Sequence, residues 1–279
     1  MKLAILSGKG GTGKTFVAVN LAAVADKAVY IDCDVEEPNG RLFLKPTDTK
    51  ETVVTTLIPQ FDGTKCTACR KCVDFCRFNA LVLVKDKPMV FTEICHSCGG
   101  CPLVCPEGAI TEIEKPVGVV ETGQSANVHV VTGCMNLGEA SGIPVINAAL
   151  SQDLKDSELT VIDCPPGTAC SAMESADYAD YCVIVVEPTA FGLHNFKMVY
   201  ELVTVLNKPC GVIINKADGE YHEVEKFCDE HNIPILCRIP YSSKLASLGA
   251  GAQVASLYDE KTAKLFHDLL TDIKKEVHS

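Results

Sequence analysis

Apolar residues in this chain fall mostly in short runs, not in strict alternation. The runs are Leu3-Ala4-Ile5-Leu6, Ala28–Asp32, Val128–Val131, Leu159–Asp163, Cys182–Val186, Gly211–Ile214 and Ile235–Ile239. Runs of this length, bounded by turn or polar residues, predict strands covered on both faces, as in a parallel sheet. Helix-compatible stretches follow several of them, including Phe16 to Ala25 and one ending at Leu206. The alternation predicts a doubly wound, mostly parallel α/β fold. The final segment, Lys261–Val277, places Leu265, Phe266, Leu269, Leu270 and Ile273 on one side of a helix. Its other side mixes Lys264, Lys274 and Lys275 with Asp268, Asp272 and Glu276. A membrane-surface helix is basic there, so this helix is expected to pack on the core.

The α/β rhythm stops between about Pro59 and Pro116, and cysteines crowd in. Cys66, Cys69, Cys72 and Cys76 form C-x₂-C-x₂-C-x₃-C, and Cys95, Cys98, Cys101 and Cys105 repeat it. A zinc ribbon uses paired C-x-x-C without a third and fourth cysteine at these offsets. Two short β-like pieces, Ala80–Val84 and Ala109–Ile113, follow the two sets. His96 lies within the second set and reads as a surface residue rather than a ligand.

The first run leads into Gly8-Lys9-Gly10-Gly11-Thr12-Gly13-Lys14-Thr15, followed by Phe16 at the start of the helical stretch. The spacing G-x-x-x-x-G-K-T is a P-loop, whose backbone N–H groups surround phosphate oxygens at a helix N-terminus. Lys14 is expected to reach the β/γ-phosphates and Thr15 to hold Mg²⁺. The letters also fit G-x-G-x-x-G at Gly8, Gly10 and Gly13, with Asp32 where a ribose-binding acid would lie. A dinucleotide site has no need of Lys-Thr after its last glycine, so the phosphate–Mg²⁺ reading is preferred. Two further strands end in acids: Asp32-Cys33-Asp34 and Asp163-Cys164-Pro165-Pro166-Gly167. The second is a Walker B pattern, with Asp163 for the Mg²⁺ shell and the Gly167 N–H for a γ-phosphate.

Composition narrows the class. The chain has 279 residues, 47% of them hydrophobic, which is enough for one or two cored domains. Net charge is −11, so nucleic acid is not the expected partner. Residues 59–116 are neutral, with seven basic and seven acidic residues, leaving 18 bases against 29 acids elsewhere. Arg70, Lys71 and Arg77 lie among the first cysteine set, where they would favour a reduced cluster or dock an acidic partner. No apolar run reaches the roughly 18–20 residues of a membrane helix. Sixteen cysteines in a P-loop enzyme point to metal ligands and small core residues in a reducing, cytoplasmic setting, not to disulfides.

With Lys9 inside it, K-G-G-T-G-K-T resembles the deviant Walker A loop of the MinD/ParA/nitrogenase-iron-protein ATPases. The doubled cysteine run resembles a bacterial two-cluster ferredoxin. Over its whole length the chain resembles MinD-superfamily ATPases with an inserted ferredoxin domain. The resemblance implies a P-loop domain of residues 1–58 and 117–279 and a two-cluster insert of residues 59–116. It implies ATP/ADP and Mg²⁺, and an ATP-dependent homodimer in which Lys9 reaches the partner's phosphates. Asp34 would orient the attacking water. Asn215-Lys216 would contact adenine, although N-K-x-D with Asp218 also fits a guanine-reading motif, and Pro240-Tyr241 would stack on the base. One 4Fe–4S cluster would take Cys66, Cys69, Cys72 and Cys105, the other Cys95, Cys98, Cys101 and Cys76, because the fourth cysteine of each run serves the other cluster. The expected activity is ATP hydrolysis coupled to electron transfer. The partner would be a redox or metal-cluster protein, such as the orange-protein type. Two other roles stay open: an iron–sulfur assembly carrier, and a positioning or division ATPase with structural clusters. The C-terminal C-x-x-C of the Mrp-type carriers is absent.

Overall fold

The computed structural model describes residues 1–152, 157–217, 219 and 221–278. Nine strands form one sheet in the order β11-β10-β9-β1-β8-β2-β7-β6-β3. Seven are parallel: β1 (Lys2–Leu6), β2 (Ala28–Asp32), β7 (Val128–Met135), β8 (Leu159–Asp163), β9 (Tyr181–Val186), β10 (Cys210–Asn215) and β11 (Ile235–Ile239). Their apolar runs are explained by a core on each face of the sheet. Ala4, Leu6, Val29, Ile31 and Ile162 enter one, which includes residues of α5 (Ile143–Leu150), α6 (Cys170–Asp177), α7 (Ala190–Val205) and α8 (Glu223–Glu230). Leu3, Ile5, Tyr30, Leu159 and Val161 enter the other, with α1 (Lys14–Val24) and α10 (Glu260–His278). Two short helices, α2 (Gly40–Leu44) and α9 (Ser243–Ala250), and a 3₁₀ turn at Ala255–Leu257 complete this body.

The expected C-terminal packing is found. Phe266, Leu269, Leu270 and Ile273 are buried, and the Phe266 ring meets Phe16 edge-on at 5.9 Å. No helix of the described residues is long and apolar enough to cross a membrane.

At the far edge of the sheet, β3 (Thr47–Phe61) and β6 (Ile110–Ser125) form a long antiparallel arm. The boundaries drawn at 58/59 and 116/117 fall inside these strands. Beyond Phe61 lies the cysteine unit: α3 (Lys71–Phe75), a hairpin of β4 (Leu81–Val84) and β5 (Lys87–Val90), and α4 (Gly100–Val104). Its own apolar core is small, with Leu81, Cys101 and Ile110 buried and Phe61, Val73 and Val90 packed against them.

Candidate functional site

The P-loop lies where parallel strands end. β1 points its C-terminal end into the loop, and α1 begins at Lys14. Gly13 has φ +96°, and a Cβ there would come within 2.2 Å of Asn215 Nδ2. Only glycine satisfies both demands. Asn215, at the end of β10, donates from Nδ2 to the Thr12 carbonyl at 2.7 Å. Asn215 therefore braces the loop that the nucleotide would occupy. No neighbour lies within 4 Å of a Cβ built at Gly10 or Gly11, so that side of the loop is open.

Lys14 is buried, and its Nζ donates to Asp163 Oδ1 at 2.6 Å and lies 4.0 Å from Asp34 Oδ2. Tyr30 OH donates to Asp163 Oδ2 at 2.8 Å, so both oxygens of the Walker B acid are engaged. β2 and β8 are in register, Asp32 opposite Asp163, which brings three carboxylates around one lysine. Burial and the charge of Asp163 push the Asp32 carboxyl up to about 8, against the opposing N–H of Gly40 and Asp34. Burial raises Asp34 to about 6, with Lys14 opposing and Asp163 adding to it. For Lys14, burial lowers its pKa, but the attraction of Asp163 and the other acids outweighs it and the net shift is upward. Gly167 donates its N–H to the Ser7 carbonyl at 2.8 Å, tying the Walker B loop to the base of the P-loop.

Lys9 has a partner in its own chain. Its Nζ donates to Glu187 Oε2 at 2.7 Å, while Lys216 Nζ donates to Glu187 Oε1 at 2.5 Å and to the Gly11 carbonyl at 3.1 Å. Glu187, at the end of β9, was not singled out from the sequence, and nor was Tyr30. Thr15 is half-buried in the first turn of α1, and Pro240 and Tyr241 are exposed after β11. Asp218 lies outside the described residues.

The cysteine unit holds two cavities of similar size. One, of about 20 Å³, is lined by Cys66, Cys69, Cys72 and Cys105, together with Arg70 and Lys71. The other, also about 20 Å³, is lined by Cys76, Cys95, Cys98 and Cys101. Each thus joins three cysteines of one run to the fourth of the other. Burial, then Cys66 and Cys105, raise the Cys72 thiol; burial, then Cys98, Cys76 and Cys95, push Cys101 up to about 11. The backbone repeats as well. Ala68, Arg70 and Asn79 have positive φ, and so do Ser97, Gly99 and Gly108, each 29 residues later. Left-handed turns of this kind direct backbone N–H groups inward, making a concavity suited to negative charge. One such N–H, of Ala109, donates to Cys105 Sγ at 3.3 Å. His96 stacks on Phe78 at 3.9 Å, across the two halves. No group of three or more His, Cys, Asp or Glu among the described residues is close enough to hold a single metal ion.

The comparisons agree with the architecture of the body. Residues 3–253 match the model of the CobQ/CobB/MinD/ParA nucleotide binding domain. An uncharacterized protein of Methanocaldococcus jannaschii, MJ0579, is 30% identical over 77% of this chain and 80% of its own. The cell division ATPase MinD of Pyrococcus furiosus superposes with a TM-score of 0.60 at 20% identity, covering 98% of both chains. The MinD of Pyrococcus horikoshii, solved with Mg-ADP, gives 0.59 at 19% identity over 98% of this chain and 96% of that one. With the match extending from the first strand to beyond α9, the chain belongs to the CobQ/CobB/MinD/ParA nucleotide-binding family.

Proposed function

We propose that this protein is a Mg²⁺-dependent ATPase of MinD/ParA type that carries two 4Fe–4S clusters, and that its nucleotide cycle times electron delivery to a partner. The observation that carries the cluster reading is the crossed lining of the two cavities by all eight cysteines of the doubled run. The small core of the unit supports it: a fold of this size rarely holds itself together without disulfides or metal. When bound, such clusters store and pass single electrons.

The chain's own residues divide the work at the nucleotide. The P-loop N–H groups and Lys14 would hold the β/γ-phosphates, and Thr15 and Asp163 would hold the Mg²⁺ shell. Asp34 would orient the water, and Gly167 would have to release its N–H from the Ser7 carbonyl to meet the γ-phosphate. Lys9 would leave Glu187 to reach a second protomer. Asn215 is committed to the P-loop through its side-chain amide, so its part is to shape the loop as well as to meet the base.

The likeness to the MinD structures supports a positioning ATPase more directly than it supports electron delivery. The cysteine cages favour the redox reading, and one experiment separates the two. Iron and sulfide content is determined first, and the midpoint potential of each cluster is then measured with and without ATP·Mg²⁺. A nucleotide-dependent shift supports the gated redox reading. Two bound clusters with unmoved potentials and no delivery to any acceptor leave the positioning ATPase, and transfer of iron and sulfide to an apo-protein leaves the assembly carrier. Absence of iron overturns the cluster reading.

A further inference from the structure

We infer that Lys115 is a positioning residue that transmits the state of the nucleotide loop after β2 to the second cysteine cage. This rests on the nucleotide and cage assignments above.

A continuous path of direct contacts leads there. Asp34, 4.0 Å from Lys14, is followed by Val35, which is 4% exposed. The Val35 carbonyl accepts from the Met135 N–H at 2.9 Å. Its side chain sits so close to Gly133 and Gly142 that a Cβ on either would come within 2.7 Å of it. The end of β7 is therefore locked to this loop by a hydrogen bond and by packing that admits no added atom. Asn136, one residue on, donates its N–H to the Val117 carbonyl at 2.9 Å and its Nδ2 to the Pro116 carbonyl at 3.2 Å, both on β6. Beside these lies Lys115, with Nζ donating to Glu139 Oε2 at 2.8 Å and to the Thr92 carbonyl at 3.1 Å. Thr92 is three residues before Cys95.

The location gives Lys115 its leverage. A cleft of about 220 Å³ separates the cysteine unit from the body here. Thr92, Cys95 and Ser97 form one wall, and Glu139, Ser141 and Pro144 line the other. Lys115 bridges the two walls. Its side chain and that of Glu139 are only 19% and 12% exposed, so the pair is shielded and its geometry is specific. A shift of Val35 would move Met135 and Asn136, then Glu139 and Lys115, and with them the carbonyl that anchors the Cys95 loop. Packed elements of this kind switch between discrete arrangements and do not yield gradually.

The test is amide hydrogen exchange on the full chain, with and without ATP·Mg²⁺, in wild type, Lys115→Met, Lys115→Arg and the double variant Lys115→Met/Glu139→Leu. In wild type, nucleotide is expected to slow exchange at residues 8–15 and to change it at 93–98. Lys115→Met is expected to keep the first response and lose the second, with basal exchange at 93–98 rising about tenfold. Lys115→Arg is expected to restore part of the second response. The double variant removes the stranded Glu139 charge. It separates lost coupling from simple destabilisation, because it should regain the overall stability of the wild type in urea titration but not the nucleotide response at 93–98. A nucleotide response at 93–98 that survives in Lys115→Met, or is missing from a wild type whose residues 8–15 respond, overturns the relay alone. No response at 8–15 overturns the nucleotide reading and the relay with it.

Discussion

Glu187→Gln should tighten the ATP-dependent dimer that we propose. In one chain the Glu187 carboxylate takes a hydrogen bond from each of two lysines, Lys9 and Lys216. Burial pushes this carboxyl up, but the hydrogen bonds and charges of Lys216 and Lys9 outweigh it, and its pKa is lowered overall. To act on a second protomer, Lys9 must give up this contact. A hydrogen bond to a charged group contributes about 1 kcal/mol more than one between neutral groups. Lys9 is 29% exposed, so solvent screening keeps the figure at that lower end. Glutamine preserves the shape and one acceptor but removes the charge. Each protomer would then hold its Lys9 about 1 kcal/mol less firmly, and a symmetric dimer releases two, so association should strengthen by about 2 kcal/mol, or about thirtyfold. Sedimentation equilibrium with ATP·Mg²⁺ measures this directly. Lys216 also reaches Gly11, so ADP affinity of the monomer must be measured alongside; a loosened P-loop would lower it. An unchanged or weaker dimer, with ADP affinity intact, would refute the view that Glu187 retains Lys9.

Further outcomes follow from the same geometry. ATP hydrolysis should fall as pH drops below about 6, where Asp34 takes up its proton, and Asp34→Asn should abolish that inflection together with most of the rate; a wild-type profile flat through this range would remove Asp34 from water positioning. Asp32, raised to about 8, contributes stability that is fully present below the ordinary carboxylate range and is lost as pH rises through about 8; the melting temperature of nucleotide-free protein should carry that slope and Asp32→Asn should lack it. Cys105→Ser should lower iron from about eight to about four per chain and spare the cluster held with Cys76, whereas Cys76→Ser should do the reverse, as the spectra of the remaining cluster will tell. Phe266→Ala should destabilise the fold by about 3–5 kcal/mol in urea titration, because the ring is wholly buried, and should leave vesicle binding unchanged.

What sequence reasoning could reach, and what it could not, follows from the range of each interaction. β2 and β8 have the predicted limits because strands buried on both faces are largely apolar, and that pattern is local; β11 has them too, although it is half-exposed and carries Arg238. The P-loop and the cysteine runs were equally readable, since each is a set of chemical groups at fixed short spacing. Of the β3–β6 arm, only Ala109–Ile113 is legible in the sequence, and β3 is not. Much of each strand is exposed, and Thr47–Phe61 carries polar residues where a core strand would not. Glu187 and Tyr30 acquire their roles from partners 178 and 133 residues away, and no spacing rule reports such meetings. The 29-residue repeat of left-handed backbone lies between these extremes. Gly99 and Gly108 are glycines, but their counterparts Arg70 and Asn79 are not, so composition conceals half of the pattern. A side chain at Arg70 tolerates a conformation that favours glycine. That strain is compensated if the turned N–H groups meet a charged occupant, because the concavity they form is then filled. The left-handed turns of the two halves thus suit, through the backbone, the same charged occupant that we propose for the eight thiols.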